Sequence, residues 1–347
     1  MIKRAGIENI DFENKYVAIK LHFGEPGNLA YLRPNYAKVV ADVVKELGGK
    51  PFLTDCNTLY VGGRKNALDH LDTAYLNEFS PFSTGCQVII ADGLKGTDET
   101  YVDISEEYIK TAKIGRAIMD ADIFISLNHF KGHEMTGFSG AIKNIGMGCG
   151  SRAGKMEMHN SGKPVVSKER CRKCKQCIKI CAHGAISYDE EGKACIDHNK
   201  CVGCGRCIGI CNFDAISAPN DENGDILNKK MAEYALAVIK DKPNFHISLI
   251  CDVSPNCDCH AENDVPIVPD IGMLASFDPV ALDKARADLV NKEEAYQNSQ
   301  LGENLKKNIL EKDNFHTTHP ETNWESQIEH AEKIGLGNSE YELIKVN

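Results

Sequence analysis

Two runs of cysteine with the same spacing constrain the fold of this chain more than any other feature of its sequence. Residues 171–181 read CRKCKQCIKIC and residues 201–211 read CVGCGRCIGIC, so both follow the pattern C-x2-C-x2-C-x3-C. The related segments HGAIS and FDAIS follow the two runs. Such self-similarity indicates an internal duplication, and the fold must group the thiols of each half.

The spacing is typical of proteins that bind [4Fe–4S] clusters. Three thiolates separated by two residues can wrap one face of a cubic cluster, and the fourth, three residues on, points to the other cluster. We therefore predict one cluster on Cys171, Cys174, Cys177 and Cys211, and a second on Cys201, Cys204, Cys207 and Cys181. A pair of zinc sites is the alternative, but these use two C-x2-C pairs rather than runs of four.

Outside the cysteine runs, apolar strand-like segments alternate with amphipathic segments. This alternation predicts an α/β fold with a mostly parallel sheet and helices on both faces. We assign residues 1–165 and 219–347 to this discontinuous domain, and residues 166–218 to an inserted α+β two-cluster ferredoxin-like domain. The predicted strands are 16–23, 51–55, 87–92, 122–127, 244–251 and 341–346. The predicted helices are 34–50, 64–79, 105–120, 228–240, 278–290 and 324–335.

The stretch NHFKGHEMTGFSGAIKNIGMGCG, residues 128–150, follows one predicted strand and crowds ionisable side chains among glycines. In open α/β sheets, ligands bind outside the carboxyl ends of the strands. We therefore expect a crevice for a small anionic ligand here, and the glycine-rich backbone could form an anion-binding nest. The expected ligand-binding residues are His22, Arg64, His129, Lys131 and Asn144. The expected catalytic residues are His133, Lys143 and His159.

A third cysteine group, CDVSPNCDCH at residues 251–260, follows another predicted strand. Its C-x5-C-x-C spacing matches no standard cluster or zinc site, although a C-x-C pair can chelate one ion. The candidate residues for a third metal or redox site are Cys251, Cys257, Cys259 and Cys149. The alternative is a group of buried or free thiols.

Composition excludes some partners. The net charge is −10, with 40 basic against 50 acidic residues, which argues against nonspecific binding to nucleic acid or to an anionic membrane. No apolar run is long enough to span a bilayer, and the first residues lack the apolar region of a signal peptide, so we expect a cytoplasmic protein. No G-x-G-x-x-G fingerprint suggests a bound dinucleotide.

The chain resembles a family of uncharacterised iron–sulfur centre proteins that carry domain of unknown function 362. The resemblance covers about residues 15–292 and rests on KLHFGEPGN, TDCNTLYVGGRKNALDHL, HFKGHEMTGFSGAIKNIGMGC, the cysteine runs and CDCHAENDVPIVPDIGMLASFDPVALD. It implies the fold and the clusters but no reaction. The insert is similar to bacterial two-cluster ferredoxins, except that Ala182 and Asn212 stand where proline usually follows the fourth cysteine.

A shorter stretch resembles the nickel-pincer lactate racemase family. His133, Lys143 and His159, with TGFSGAIK between the first two, reproduce the spacing of that family's histidine, lysine and second histidine. The resemblance implies that Lys143 tethers or contacts a cofactor, that His159 ligates a metal, and that His133 acts as an acid or base.

Three classes of function follow. The first is a redox enzyme in which two [4Fe–4S] clusters pass electrons to a small anionic substrate or cofactor in the crevice. A redox partner protein or a small electron donor supplies those electrons. The second is an electron-transfer or cluster-maintenance protein without its own catalysis. The third is a metal- or nickel-pincer-dependent racemase or isomerase. An additional metal or organic cofactor stays open in each.

Overall fold

The computed structural model describes residues 1–60, 62–159, 163–218 and 224–346. The strands are β1 (Tyr16–Lys20), β2 (Lys50–Asp55), β3 (Gln87–Ile90), β4 (Glu99–Asp103), β5 (Thr111–Gly115), β6 (Ile123–His129), β7 (Lys131–His133), β8 (Gly137–Ser139), β9 (Val165–Val166), β10 (Ile186–Tyr188), β11 (Ala194–Ile196), β12 (Ile216–Ser217), β13 (Asn244–Ile250) and β14 (Gly272–Ser276). The helices are α1 (Pro34–Glu46), α2 (Ala67–Leu76), α3 (Pro81–Thr84), α4 (Arg116–Asp120), α5 (Ala141–Cys149), α6 (Arg152–His159), α7 (Gln176–Ile180), α8 (Arg206–Ile210), α9 (Gly224–Ile239), α10 (Pro279–Val290), α11 (Gln300–Lys306), α12 (Asn314–Thr318) and α13 (Glu325–Lys333).

Among the described residues, six strands form the central sheet in the order β14-β13-β6-β1-β2-β3. Neighbouring strands are parallel, except that β14 runs antiparallel to β13. Alternate side chains of β1 enter opposite cores, Ala18 with α5 and α9 on one face and Val17 and Ile19 with α1 on the other. The predicted α/β fold with a mostly parallel sheet between helices is confirmed.

The cysteine-rich segment forms a small unit with its own strand pairs and its own helix pair. Strand β9 pairs with β12 and β10 pairs with β11, both antiparallel, and α7 packs against α8. Its apolar core includes Ile186, Ile208 and Ile216, joined by Leu59 and Met156 from the α/β part. The predicted domain boundary at residue 219 lies outside the described residues.

Two sequence predictions about secondary structure are wrong. Residues 105–120 are not one helix, because Thr111–Gly115 forms β5 against β4 and only Arg116–Asp120 is helical. The carboxylate of Glu233, distant in sequence, accepts hydrogen bonds from the N–H groups of Tyr108 and Ile109 and fixes the turn before β5. Residues 341–346 form no strand, and Ile344 is 72% exposed without a pairing partner.

None of the described helices combines the length and the apolar character that crossing a bilayer requires.

Candidate functional site

A cavity of about 610 Å³, partly open to solvent, lies at the carboxyl ends of the parallel strands β1, β2 and β6. We call it the crevice. Each strand delivers a polar side chain to it, namely Lys20, Asp55 and His129, because parallel strands end at the same edge of a sheet. Helix α5 and the segment after β13 complete the lining. This is the location that the topology of such sheets favours for ligands.

The floor of the crevice is an ion pair that is nearly inaccessible to solvent. Lys20 is 1% exposed, and its Nζ lies 3.0 Å from Oδ1 of Asp55. The same ammonium donates to Oδ1 of Asn144 on α5, at 2.8 Å. Burial opposes ionisation of Asp55, yet Lys20 and other neighbouring cations hold its pKa below the usual value. Through Asn144 the pair therefore fixes α5 against β1 and β2.

A second buried group links β6, β7 and the segment after β13. The Asp258 carboxylate accepts from Nδ1 of His129 at 2.9 Å and pairs with Nζ of Lys131 at 2.8 Å. Nε2 of His129 faces the carbonyl oxygen of Cys251, also at 2.8 Å. Both ring nitrogens of His129 thus have an oxygen within hydrogen-bond distance. His129 is thus fully engaged within the protein.

The mouth of the crevice holds a thiolate beside an ammonium. Nζ of Lys143 lies 3.2 Å from Sγ of Cys257. A hydrogen bond from Cys259, the nearby Lys143 ammonium and a hydrogen bond from His133 together outweigh burial and hold the pKa of Cys257 well below its usual range. Burial alone would lower the pKa of Lys143, but the charge of Cys257 outweighs it and the pKa is raised. Cys257 and Lys143 therefore form an ion pair at neutral pH.

Two histidines have their tautomers set by the backbone. Nδ1 of His133 accepts from the N–H groups of Met135 and Thr136, at 3.1 and 3.3 Å, so Nε2 carries the ring proton. Nδ1 of His22 accepts from the N–H of Gly24 at 3.0 Å. Burial, followed by the charge of Arg64, keeps the pKa of His22 well below its usual value. Its Nε2 is buried and has no hydrogen-bond partner among the described residues, so it can donate to a ligand.

The crevice carries an excess of positive charge. Arg64 pairs with Glu25 at 2.8 Å, and the cations described above each have an acidic partner. Lys155 also lines the crevice, but its Nζ donates only to the carbonyl oxygens of Gly148 and Gly150, and no described carboxylate lies within 4.0 Å of it. Lys155 therefore leaves the site suited to an anion.

The glycines of the stretch 128–150 serve internal packing. A Cβ on Gly146 would overlap the carbonyl oxygen of Met231 on α9, and a Cβ on Gly140 would overlap the Asp283 carboxylate. The same carboxylate accepts from the N–H groups of Ala141 and Ile142, at 2.7 and 2.9 Å. An internal acid thus occupies the amide groups that the sequence suggested as an anion-binding nest. Cationic side chains take the place of that nest.

The structure brings most of the predicted site residues together and leaves some outside. Of the described residues, the crevice lining includes His22, Arg64, His129, Lys131, Asn144, Lys143, Cys257 and Cys259. His133 contacts Cys257 from behind the lining. His159 ends α6 and does not line the crevice, and Cys149 and Cys251 also lie outside it. Burial raises the pKa of both thiols to about 12.

The eight cysteines of the two runs line two further cavities of about 350 Å³ each. One is lined by Cys171, Cys174, Cys177 and Cys211. The other is lined by Cys201, Cys204, Cys207 and Cys181. Three thiols of each cavity come from one run and the fourth comes from the other run, because α7 and α8 pack against each other. Cys174 is the exposed member of the first set.

A possible metal-binding group lies away from these cavities, at Asp313, His316 and Glu325, whose ligand atoms are within 4.8 Å of one another. The three side chains are already joined, since His316 contacts Asp313 at 2.9 Å and Glu325 at 3.3 Å. Sequence reasoning missed this group because its members are spread over a region without a motif. It also missed Lys20 and Asp258, although a lysine that ends a buried strand is an unusual residue.

Comparison with known proteins gives a family and two distant structures. Residues 17–288 match the family model described as Domain of unknown function (DUF362). No curated protein matches the chain. The lactate racemase apoprotein from Thermoanaerobacterium thermosaccharolyticum is similar at 13% identity and a TM-score of 0.43, over 84% of this chain and 54% of that chain. A protein from Thermotoga maritima is similar at 13% identity and a TM-score of 0.35, over 72% and 48%. The chain thus spans about half the length of these two structures.

Proposed function

The chain belongs to the family described as Domain of unknown function (DUF362), and because that description assigns no reaction, we propose a function from its two kinds of site. We propose an iron–sulfur redox enzyme that acts on a small anionic substrate or cofactor held in the crevice. The crevice is cationic and contains a thiolate, and it is in direct contact with the unit that has two four-cysteine cavities. This contact is the observation that carries the proposal.

The donor sets of the two cysteine cavities fit [4Fe–4S] clusters. Among the described residues, no three of these sulfurs lie within 4.8 Å of one another. Thiolates around a single tetrahedral zinc ion, with Zn–S bonds of about 2.3 Å, lie closer together than that. The cavities therefore suit a larger inorganic core better than one ion. A bound cluster would supply one-electron transfer at a potential set by charge, hydrogen bonding and exposure.

Two segments of the chain contribute neighbouring residues to both the crevice and the insert. Thr58 and Tyr60 line the crevice, whereas Leu59 between them packs into the core of the insert. On α6, Lys155 lines the crevice and the next residue, Met156, packs into the insert. Electron transfer over such a short separation needs no large motion of the chain, which favours a redox enzyme over a carrier that serves a partner elsewhere.

The residues of the crevice have separate roles in this proposal. Lys155 and Arg64 attract a carboxylate or phosphate group, and Nε2 of His22 donates to it. The Cys257 thiolate, with the proton of His133 beside it, is the reactive group that faces the ligand. Cys174 at the surface suits the entry of electrons from a redox partner protein or a small donor.

The ion pair between Lys143 and Cys257 also bears on the racemase alternative. An amine that attaches a cofactor must first lose its proton to become a nucleophile. Lys143 instead keeps its proton, because the neighbouring thiolate raises its pKa. A nickel-pincer role is therefore the weaker proposal. Nickel in the purified protein, together with added mass on the peptide that contains Lys143, would establish it.

The redox proposal is tested by asking whether crevice ligands oxidise the reduced protein. Anaerobically purified protein is reduced and mixed with a panel of 2-oxo acids and 2-enoates, with and without a phosphate group, and reoxidation is followed by visible absorbance. We expect at least one compound to reoxidise the wild type. Cys257→Ser and Lys143→Met should lose this reaction while keeping wild-type iron content, and Lys307→Met, on the exposed surface, should retain it. Equal rates in all four proteins would refute a reaction in the crevice.

A further inference from the structure

The two halves of the insert differ in a way that the duplication itself does not explain. When the cysteines of the runs are aligned, Lys173, Lys175 and Lys179 of the first half correspond to Gly203, Gly205 and Gly209 of the second. The backbone is the same at the central pair, since Lys175 has φ 66° and Gly205 has φ 65°. A lysine can therefore adopt this backbone conformation. The conformation does not explain why the second half has glycine at these positions.

Arg152 of α6 occupies the space that side chains on two of these glycines would need. A Cβ on Gly205 would lie 2.7 Å from Cγ of Arg152, and a Cβ on Gly209 would lie 2.5 Å from its Nη1. The arginine side chain is 0% exposed. An arginine of the α/β domain is thus inserted into a glycine groove at α8, the helix that carries Cys207 and follows Cys204.

The guanidinium of Arg152 has no carboxylate in contact with it among the described residues, although the charge of Asp92 acts on it from nearby. Its Nη2 donates to the carbonyl oxygen of Lys65, but Nε and Nη1 are buried without a hydrogen-bond partner. No described carboxylate lies within 4.0 Å, and Oδ2 of the nearby Asp92 is itself unpartnered. A buried cation whose donors face no acceptor is unfavourable, so the two free donors leave room for a further negative group beside Arg152.

We propose that Arg152 is the charge partner of a cluster on Cys201, Cys204, Cys207 and Cys181, and that it seats this half of the insert on the α/β domain. This proposal rests on the proposed function. Four thiolates give a [4Fe–4S] site a net negative charge, and that charge is the partner of the Arg152 guanidinium. Arg152 is a positioning residue, since it acts on the cysteine site and not on the substrate.

The arrangement makes the two cysteine sites electrostatically unequal. Lys175 and Lys179 of the first half are exposed, where solvent and salt screen their charges. Arg152 is buried beside the second half, where the same charge acts more strongly. A nearby cation stabilises the reduced, more negative form of a cluster, so the second site has the higher reduction potential. Electrons that enter at the exposed Cys174 then move toward the site beside α6.

A redox titration of the full chain, followed by EPR, tests the assignment. Arg152→Gln should lower the potential of one cluster and leave the other unchanged. A tenfold change in the ratio of reduced to oxidised cluster corresponds to 59 mV for one electron, and we expect at least that shift. Arg152→Lys, which keeps the charge, should restore most of the potential. Arg4→Gln, which removes an exposed arginine that lines neither cysteine cavity, is the control.

The outcomes separate this inference from the proposed function. If the Arg152→Gln protein does not assemble its clusters, Gly209→Ala tests the same role. The added methyl group displaces Nη1 of Arg152 and should lower the potential of the same cluster. Two cluster signals that keep wild-type potentials in the assembled variants would overturn the role of Arg152 alone. Wild-type protein without iron–sulfur signals would overturn both this inference and the proposed function.

Discussion

At the scale of single residues, the chemistry of the crevice depends on how Cys257 is kept ionised. Its thiolate faces the Lys143 ammonium at 3.2 Å, and Cys259 and His133 donate to it. A thiolate is the nucleophilic and redox-active form of cysteine. By contrast, burial raises the pKa of Cys149 and Cys251 to about 12, which keeps those thiols inert.

We predict that Lys143→Met shifts the pH dependence of Cys257 alkylation. Removing the ammonium should raise the pKa of Cys257, because a nearby opposite charge stabilises the thiolate. The pH profile of its modification by iodoacetamide, measured by peptide mass spectrometry, should shift toward higher pH by about one pH unit or more. Lys307→Met is the control. An unchanged profile would show that Lys143 does not stabilise the thiolate.

Asp92 gives a second residue-scale prediction, because burial above all raises its pKa to about 6. Between the unfolded value of about 3.9 and 6, the folded state binds more protons than the unfolded state, so stability falls as pH rises through this range. Above pH 6 the charged carboxylate costs roughly 3 kcal/mol. Asp92→Asn should therefore raise the urea midpoint at pH 8 and have little effect at pH 4.

The control for Asp92 is Asp72→Asn, which removes a carboxylate from the exposed face of α2. This variant should leave the urea midpoint nearly unchanged at both pH values. If Asp92→Asn destabilises the protein equally at pH 4 and pH 8, the carboxylate is not held at a cost and its role is hydrogen bonding to Asn57.

Residue identity alone could predict only part of this site. The histidines and lysines of residues 128–150 stand out in the sequence, and most of them do line the crevice. Lys20 and Asp258 could not be found in this way, because their roles come from partners far along the chain. His159 has the right spacing for a ligand, yet α6 carries it away from the crevice lining.

At the scale of elements, close packing at a glycine fixes helix α5, and α5 places its side chains in the crevice. Gly146 brings α5 against the backbone of α9 at Met231, and the same helix carries Lys143 and Asn144 into the crevice. The periodic helices and apolar strands were predictable because their burial follows local repeats. The paired strands β4 and β5 were not, since Ala112 and Ile114 sit in a segment that also fits a helical pattern.

We predict that Gly146→Ala destabilises the protein despite the better helix propensity of alanine. Alanine gains about 1 kcal/mol in a helix, but the methyl group overlaps a backbone carbonyl that cannot rotate away, and overpacking costs about 1–3 kcal/mol. A lower urea midpoint is expected. Gly150→Ala is the matched control, because its nearest neighbour is the flexible end of Met158. Equal midpoints for the two variants would contradict the packing role of Gly146.

At the scale of the whole molecule, the unit with the two four-cysteine cavities contacts the crevice through α6 and the residues after β2. The pairing of runs with cavities was predictable from spacing, because the duplication constrains how the halves pack. The contact between the insert and the crevice was not, because it depends on Leu59 and Met156, which belong to no motif.

The crossed arrangement of ligands gives a prediction at this scale. Cys211→Ser should impair the site that contains Cys171, Cys174 and Cys177, although Cys211 belongs to the other run. We expect one cluster to be lost or converted while the second keeps its EPR signal and potential. Cys86→Ser, which replaces a buried cysteine outside both cavities, is the control. Loss of the cluster associated with Cys201 and Cys204 would contradict the crossed arrangement.

The most direct test of the central claim is the iron and sulfide content of anaerobically purified protein, measured together with the EPR spectrum after reduction. The account predicts about eight iron and eight sulfide per chain, as expected for two [4Fe–4S] clusters, with signals from two interacting reduced clusters. Zinc at two ions per chain, or protein that folds without iron and gives no EPR signal after reconstitution, would contradict it.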